Sequence, residues 1–144
     1  MYFDEMKIGM KVETAPTVIE KQKMLDFAHT YDNIPLHTDE DYAKNTVFGQ
    51  LIAPGVMSFM SVWAKYLEVS FFGRELLAGK STKIEWHKPV FAGDVLRGEV
   101  EITNLKRRSP KNGIVELTTK VYNQDHVLVL TNITEAIVKC ALQG

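Results

Sequence analysis

The chain has 144 residues and one cysteine, with 17 Lys and Arg set against 18 Asp and Glu for a formal charge of −1. That length suits a single domain over residues 1–144, large enough to bury a core without covalent staples. The balanced charge argues against nucleic acid or an anionic membrane as partner, and a lone thiol excludes an internal disulfide framework or a cysteine-rich metal site.

No charged-then-apolar leader opens the sequence and no apolar run has membrane length, so the expected location is the cytoplasm. Gly9 predicts a turn before a strand over 11–18, in which Pro16 favours an edge or a strand end. Thr17 and Glu20 have capping-box spacing ahead of a helix carrying Met24, Leu25, Ala28 and Tyr31 at helical steps. Asp32, Asn33 and Pro35 should end that helix near Thr30 or Tyr31 and leave DNIPLH as a loop with restricted backbone. A short helical turn over 39–44 follows.

The longest helical pattern runs from Gly55 to Glu68. Its polar members Ser58, Ser61, Lys65 and Glu68 form one narrow stripe, and the rest of the cylinder is apolar, as in a helix enclosed on most sides. From Lys80 the period changes to two. Ile84 and Trp86 share one strand face. Leu96, Gly98, Val100 and Ile102 line a second strand, and Val115, Leu117, Thr119 and Val121 a third. Asn112-Gly113 carries hairpin-turn chemistry, and Asn123–His126 turns into a last strand over 127–139. Cys140, in that apolar-alternating end, is expected as a small buried hydrophobe. One helix and a curved antiparallel sheet that wraps it give an α+β fold.

Three features could carry chemistry. Asp32 and His37 stand five positions apart beside Pro35, where an acid and an imidazole could share one water; alternatively Asp32 caps a turn and His37 bonds nearby. Gly55, at the start of the long helix, could offer its N–H to a developing oxyanion, or Pro54-Gly55 could merely punctuate the junction. The basic run Lys106–Lys111 is a solvated hairpin loop or a clamp on nucleotide phosphates. His29, His87 and His126 have no ligand spacing that would suggest a metal.

Taken in order, YDNIPLHTDEDYA, FGQLIAPGVM and WHKPVFAGDVLRGEVEI resemble the MaoC-like (R)-specific enoyl-CoA hydratases and dehydratases of the hot-dog fold. Asp32, Pro35, Leu36, His37 and Ala43 fall on the family's loop pattern. Ile52-Ala53-Pro54-Gly55 falls on its helix-start pattern, and Pro89-Val90 with Gly93-Asp94 on its strand-turn pattern. The likeness runs over roughly residues 3–139. It implies that Asp32 and His37 are the catalytic pair and that the Gly55 N–H polarises a thioester carbonyl. It also implies an acyl-CoA substrate in fatty acid metabolism, with coenzyme A as part of the substrate and no metal or redox cofactor, and a homodimer with its sheets joined. Ile34 stands where the family has Asn, Pro54 where it has His, and Trp63 where some members carry a hydroxyl. Asn33, Ile34 and Trp63 are therefore candidate pocket residues. The rival functions are a hot-dog acyl-CoA thioesterase and a non-catalytic acyl-CoA-binding module.

Overall fold

The structure, a computed structural model, describes residues 1–142. After a single 3-10 turn over Phe3–Glu5, β1 (Lys11–Glu13) and β2 (Thr17–Val18) lead into α1 (Lys21–Tyr31), α2 (Pro35–Thr38) and α3 (Glu40–Lys44). The long helix α4 spans Gly55–Val69, and four long strands follow: β3 (Leu76–Trp86), β4 (Val95–Arg107), β5 (Asn112–Tyr122) and β6 (Leu128–Lys139). The sheet is antiparallel in the order β1-β4-β5-β6-β3, with β2 also paired to β4. The early strands thus sit at one edge and β3 at the other.

Alternation along β4 places Leu96, Gly98, Val100 and Ile102 on the buried face, and β5 does the same with Leu117, Thr119 and Val121. Against that face α4 presses Met57, Phe59, Val62 and Tyr66, all buried. The helix lies close to the sheet because Gly98 has no side chain: a Cβ there would fall 2.6 Å from Val62 Cγ1. Toward its N-terminus α4 joins a cluster with Leu96, Val121 and Leu130, and toward its C-terminus Tyr66 joins one with Val100, Leu117 and Val138. Burial pushes the Tyr66 phenol well above its ordinary range. Among the described residues no helix is long and apolar enough to cross a membrane.

Several expectations are corrected. Pro16 splits the early strand into β1 and β2 instead of sitting inside one strand, as a residue without an N–H must. Thr17 is a strand residue opposite Leu96, and the cap of α1 is Glu20, without a side-chain bond. Pro35 opens α2 at its first turn, where a missing N–H costs nothing, so DNIPLH is half helix. Asn112-Gly113 is not the hairpin turn; Gly113 pairs with Arg107 inside the ladder, under a Phe3 ring whose Cζ would lie 2.6 Å from a Cβ there and whose Cδ2 and Cε2 would lie closer still. A packing need overrides a turn signal there.

The largest correction concerns α4. Ser58 faces inward at 1% exposure, whereas Val56, Met60 and Leu67 are each 48% exposed. With Ala64 these form an apolar stripe at helical spacing, turned away from the sheet. One copy of the sheet covers only one side of the helix.

Candidate active site

Asp32 is the residue at which α1 stops. Its N–H still bonds to Ala28 O at 2.9 Å, but its backbone has left helical geometry (φ −152°, ψ 59°). The chain then reverses through Ile34 into α2, which Pro35 pre-sets, and two residues later His37 turns back toward the end of α1. The break between two helices brings Asp32 Oδ2 to 3.2 Å from His37 Nε2. The two groups differ in exposure: the imidazole side chain is 7% exposed and the carboxylate 44%. The acid therefore stands at the rim and the imidazole at the wall.

His37 Nδ1 lies 2.7 Å from the carbonyl oxygen of Ile52. A carbonyl can only accept, so Nδ1 carries a proton and Nε2 is the nitrogen left to face the carboxylate. Ile52 is itself held: it bridges Phe91 as an isolated antiparallel pair, and Ala53 N–H donates to Val90 O at 2.7 Å. The Pro-Val-x-x-Gly-Asp turn explains why Val90 and Phe91 sit there. Asp94 Oδ2 accepts from Phe91 N at 2.9 Å, its Oδ1 accepts from Gln124 Nε2 at 3.0 Å, and Gly93 adopts φ 88°. Sheet, turn and imidazole are thus joined through one extended segment, which runs directly into Gly55.

Gly55 opens α4 after Pro54, with Ser58 N–H closing the first turn onto Pro54 O at 3.1 Å. As the first helical residue it has no intrahelical acceptor for its N–H, and no loop carbonyl among the described residues takes it. Asp32, His37 and Gly55 line one cavity of about 500 Å³, with Leu36, Phe48, Ile52 and Trp86 supplying much of its apolar wall. The volume is in the range of a small-molecule site.

Asn33, Ile34 and Trp63 are not among the cavity's lining residues. Asn33 and Ile34 point to solvent; Ile34 gives its carbonyl to Thr38 Oγ1 at 3.0 Å. Trp63 stacks between Phe59 and Tyr66, at centroid distances of 6.0 and 5.2 Å, and packs against both core clusters. The basic loop after Arg107 lies at the opposite end of β4, along a separate groove that includes Lys139 and the buried Cys140. His87 bonds Thr131 Oγ1 at 3.0 Å, and His126 occupies a left-handed turn position. Among the described residues no cluster of His, Cys, Asp and Glu could hold a metal.

Ser58 and Trp86 are among the lining residues that carry no site signal in the sequence. Ser58 was assigned to the polar stripe, yet its hydroxyl is buried with no hydrogen-bond partner, a state that costs about 1–3 kcal/mol. Trp86 was placed only on a strand face. That Ser58 turns inward is set by which face of α4 meets the sheet, and the proximity of Trp86 to Gly55 by where β3 ends beside α4; no local pattern reports either.

A family model described as "MaoC like domain" matches residues 4–124. Across 96% of its length the chain is 27% identical to the uncharacterized protein YdeM of Bacillus subtilis, covering 99% of that protein. It is 29% identical to an (R)-specific enoyl-CoA hydratase of Aeromonas caviae over 96% of this chain and 98% of that one. Among solved structures, a monoamine oxidase regulatory protein from Archaeoglobus fulgius superposes with a TM-score of 0.93 at 30% identity, covering 99% and 96% of the two chains. The (R)-hydratase structure from A. caviae gives 0.75 at 29% identity, covering 95% and 98%. The architecture is the hot-dog fold.

Proposed function

Because the chain belongs to the MaoC-like domain family, we propose that it is a hydro-lyase acting on acyl-CoA thioesters. It adds water reversibly across a trans-2-enoyl-CoA to give an (R)-3-hydroxyacyl-CoA. The observation that carries this is the Asp32–His37 pair, 3.2 Å apart in the cavity that also receives Gly55.

The chemistry follows from where charge must go. As the water oxygen bonds to C3, the π electrons move toward the thioester and negative charge grows on its carbonyl oxygen. The Gly55 N–H, at the positive end of α4, is suited to that oxygen. The water loses one proton to the Asp32–His37 pair, and the pair returns one proton to C2, so atoms and charge balance over the cycle. His37 Nδ1 is committed to Ile52, which leaves Nε2 and the carboxylate as the two groups that address the water. Both come from one side of the acyl chain, which favours syn addition. The relative named an (R)-specific hydratase supports the R configuration of the product.

Crotonyl-CoA is the deciding reagent. Loss of enoyl absorbance with formation of the R alcohol is the expected result. Release of free thiol would instead indicate a thioesterase, with water directed at the carbonyl carbon. Binding with neither change would indicate an acyl-CoA-binding module.

The working unit is a homodimer. The stripe Val56, Met60 and Leu67 lacks a cover, and β3 ends the sheet with an unpaired edge and Leu77 55% exposed. A second copy hides both at once, through an interface expected to reach about 1,600 Å². Light scattering should therefore give twice the chain mass of 16.3 kDa, and Met60→Asp with Leu67→Asp should shift it to one. An active wild-type monomer at micromolar concentration would rule the dimer out.

A further inference from the structure

Trp86 is the last residue of β3, and its side chain reaches across to the start of α4. A Cβ built on Gly55 would fall 2.7 Å from Trp86 Cζ2 and closer still to Cε2 and Nε1. The indole therefore lies flush against the glycine, with its nitrogen-bearing edge toward the helix start. From ordinary backbone dimensions, Nε1 is no more than about 5 Å from the Gly55 amide nitrogen. Two N–H groups at that separation can both reach one oxygen, since each bond spans about 2.7–3.1 Å.

Both donors are free. Among the described residues no hydrogen bond uses Trp86 Nε1 or the Gly55 amide. Both residues line the same cavity, together with apolar Ile52, Val56 and Val90 and with polar Ser58, His87 and Lys88. An independent sign of a polar ligand comes from Ser58. Ser58 is a lining residue of this cavity at 1% exposure, and its buried hydroxyl has no partner among the described residues.

We infer that Trp86 is a catalytic residue whose indole N–H is a second hydrogen-bond donor, beside Gly55, to the carbonyl oxygen of the acyl thioester. This rests on the hydration reading, and it adds to that reading a group from the end of β3. Because charge on the oxygen grows toward the transition state, the second donor acts chiefly on kcat and leaves KM nearly unchanged.

Trp86→Phe and Trp86→Leu, compared with wild type, test it. Phe keeps the ring and removes the N–H; Leu removes both. The expected result is that Phe already lowers kcat with crotonyl-CoA by about 10²-fold, the usual scale for one oxyanion donor, with KM changed little. With 2,4-hexadienoyl-CoA as probe, the red shift of the bound chromophore reports carbonyl polarisation independently of turnover, and it should shrink in Trp86→Phe. Thermal melting near that of wild type shows that the fold is kept. If Phe retains both the rate and the red shift and only Leu is impaired, Trp86 is wall alone and the inference is overturned. A wild-type protein that neither hydrates crotonyl-CoA nor shifts the hexadienoyl band removes the hydration reading, and the role of Trp86 with it.

Discussion

Replacing Asp32 with Asn, or His37 with Ala, is expected to lower kcat by about 10²–10⁴, the scale of a positioned acid or base. Asp32→Asn is the cleaner probe. The carboxylate is 44% exposed and, among the described residues, accepts from no backbone N–H; the bonds of Asp32 to Ala28 and Ile34 are made by its main chain, so the isosteric amide should leave α1 and α2 where they are. His37→Ala removes more. It leaves the Ile52 carbonyl without its imidazole donor, beside the segment that leads into Gly55. Part of its effect is therefore a shifted oxyanion site. The double variant should be little worse than the poorer single, because two groups acting on one water fail together. Measured kcat for the three variants, with dimer and melting temperature verified, checks this. Near-normal turnover in both singles would end the assignment of the pair.

Why the pair was legible in the sequence and its surroundings were not comes down to the length scale of the cause. Asp32 and His37 meet through local rules: a helix that must stop, a proline that pre-sets the next turn, and five intervening bonds of chain. The α4 start at Gly55 and the buried faces of β4 and β5 were legible for the same reason, since periodicity is a local property. Which side of α4 faces the sheet was not. Ser58 looked outward by polarity, but the helix turns Val56, Met60 and Leu67 outward instead. A pattern that is apolar nearly all round cannot choose its buried side alone; the sheet chooses one and leaves the other uncovered. Trp86 is the extreme case. It is 31 positions from Gly55, and its contact there depends on the β3–β6 register that pairs it with Leu130.

The remaining large effect is expected at Gly55, where two substitutions separate two causes. Gly55→Ala keeps the backbone N–H, and alanine suits the first turn of a helix, so α4 itself should not suffer. Its methyl group, however, occupies the space now filled by the Trp86 indole. The ring is 52% exposed and can swing away, so the protein should fold, with altered tryptophan fluorescence from Trp86. Gly55→Ala should then lose about 10²-fold in kcat, through displacement of the indole and obstruction of the carbonyl. Gly55→Pro adds one change. Proline is well tolerated at a first helical position because its missing N–H has no helical partner to lose. Its ring displaces Trp86 as the alanine methyl does, but the amide donor is gone as well. The proline variant should therefore lie a further 10²–10³-fold below the alanine variant, the cost of about 2.7–4 kcal/mol for one oxyanion donor. Equal rates for folded alanine and proline variants would show that the Gly55 N–H takes no part, and that glycine is present only to seat the indole.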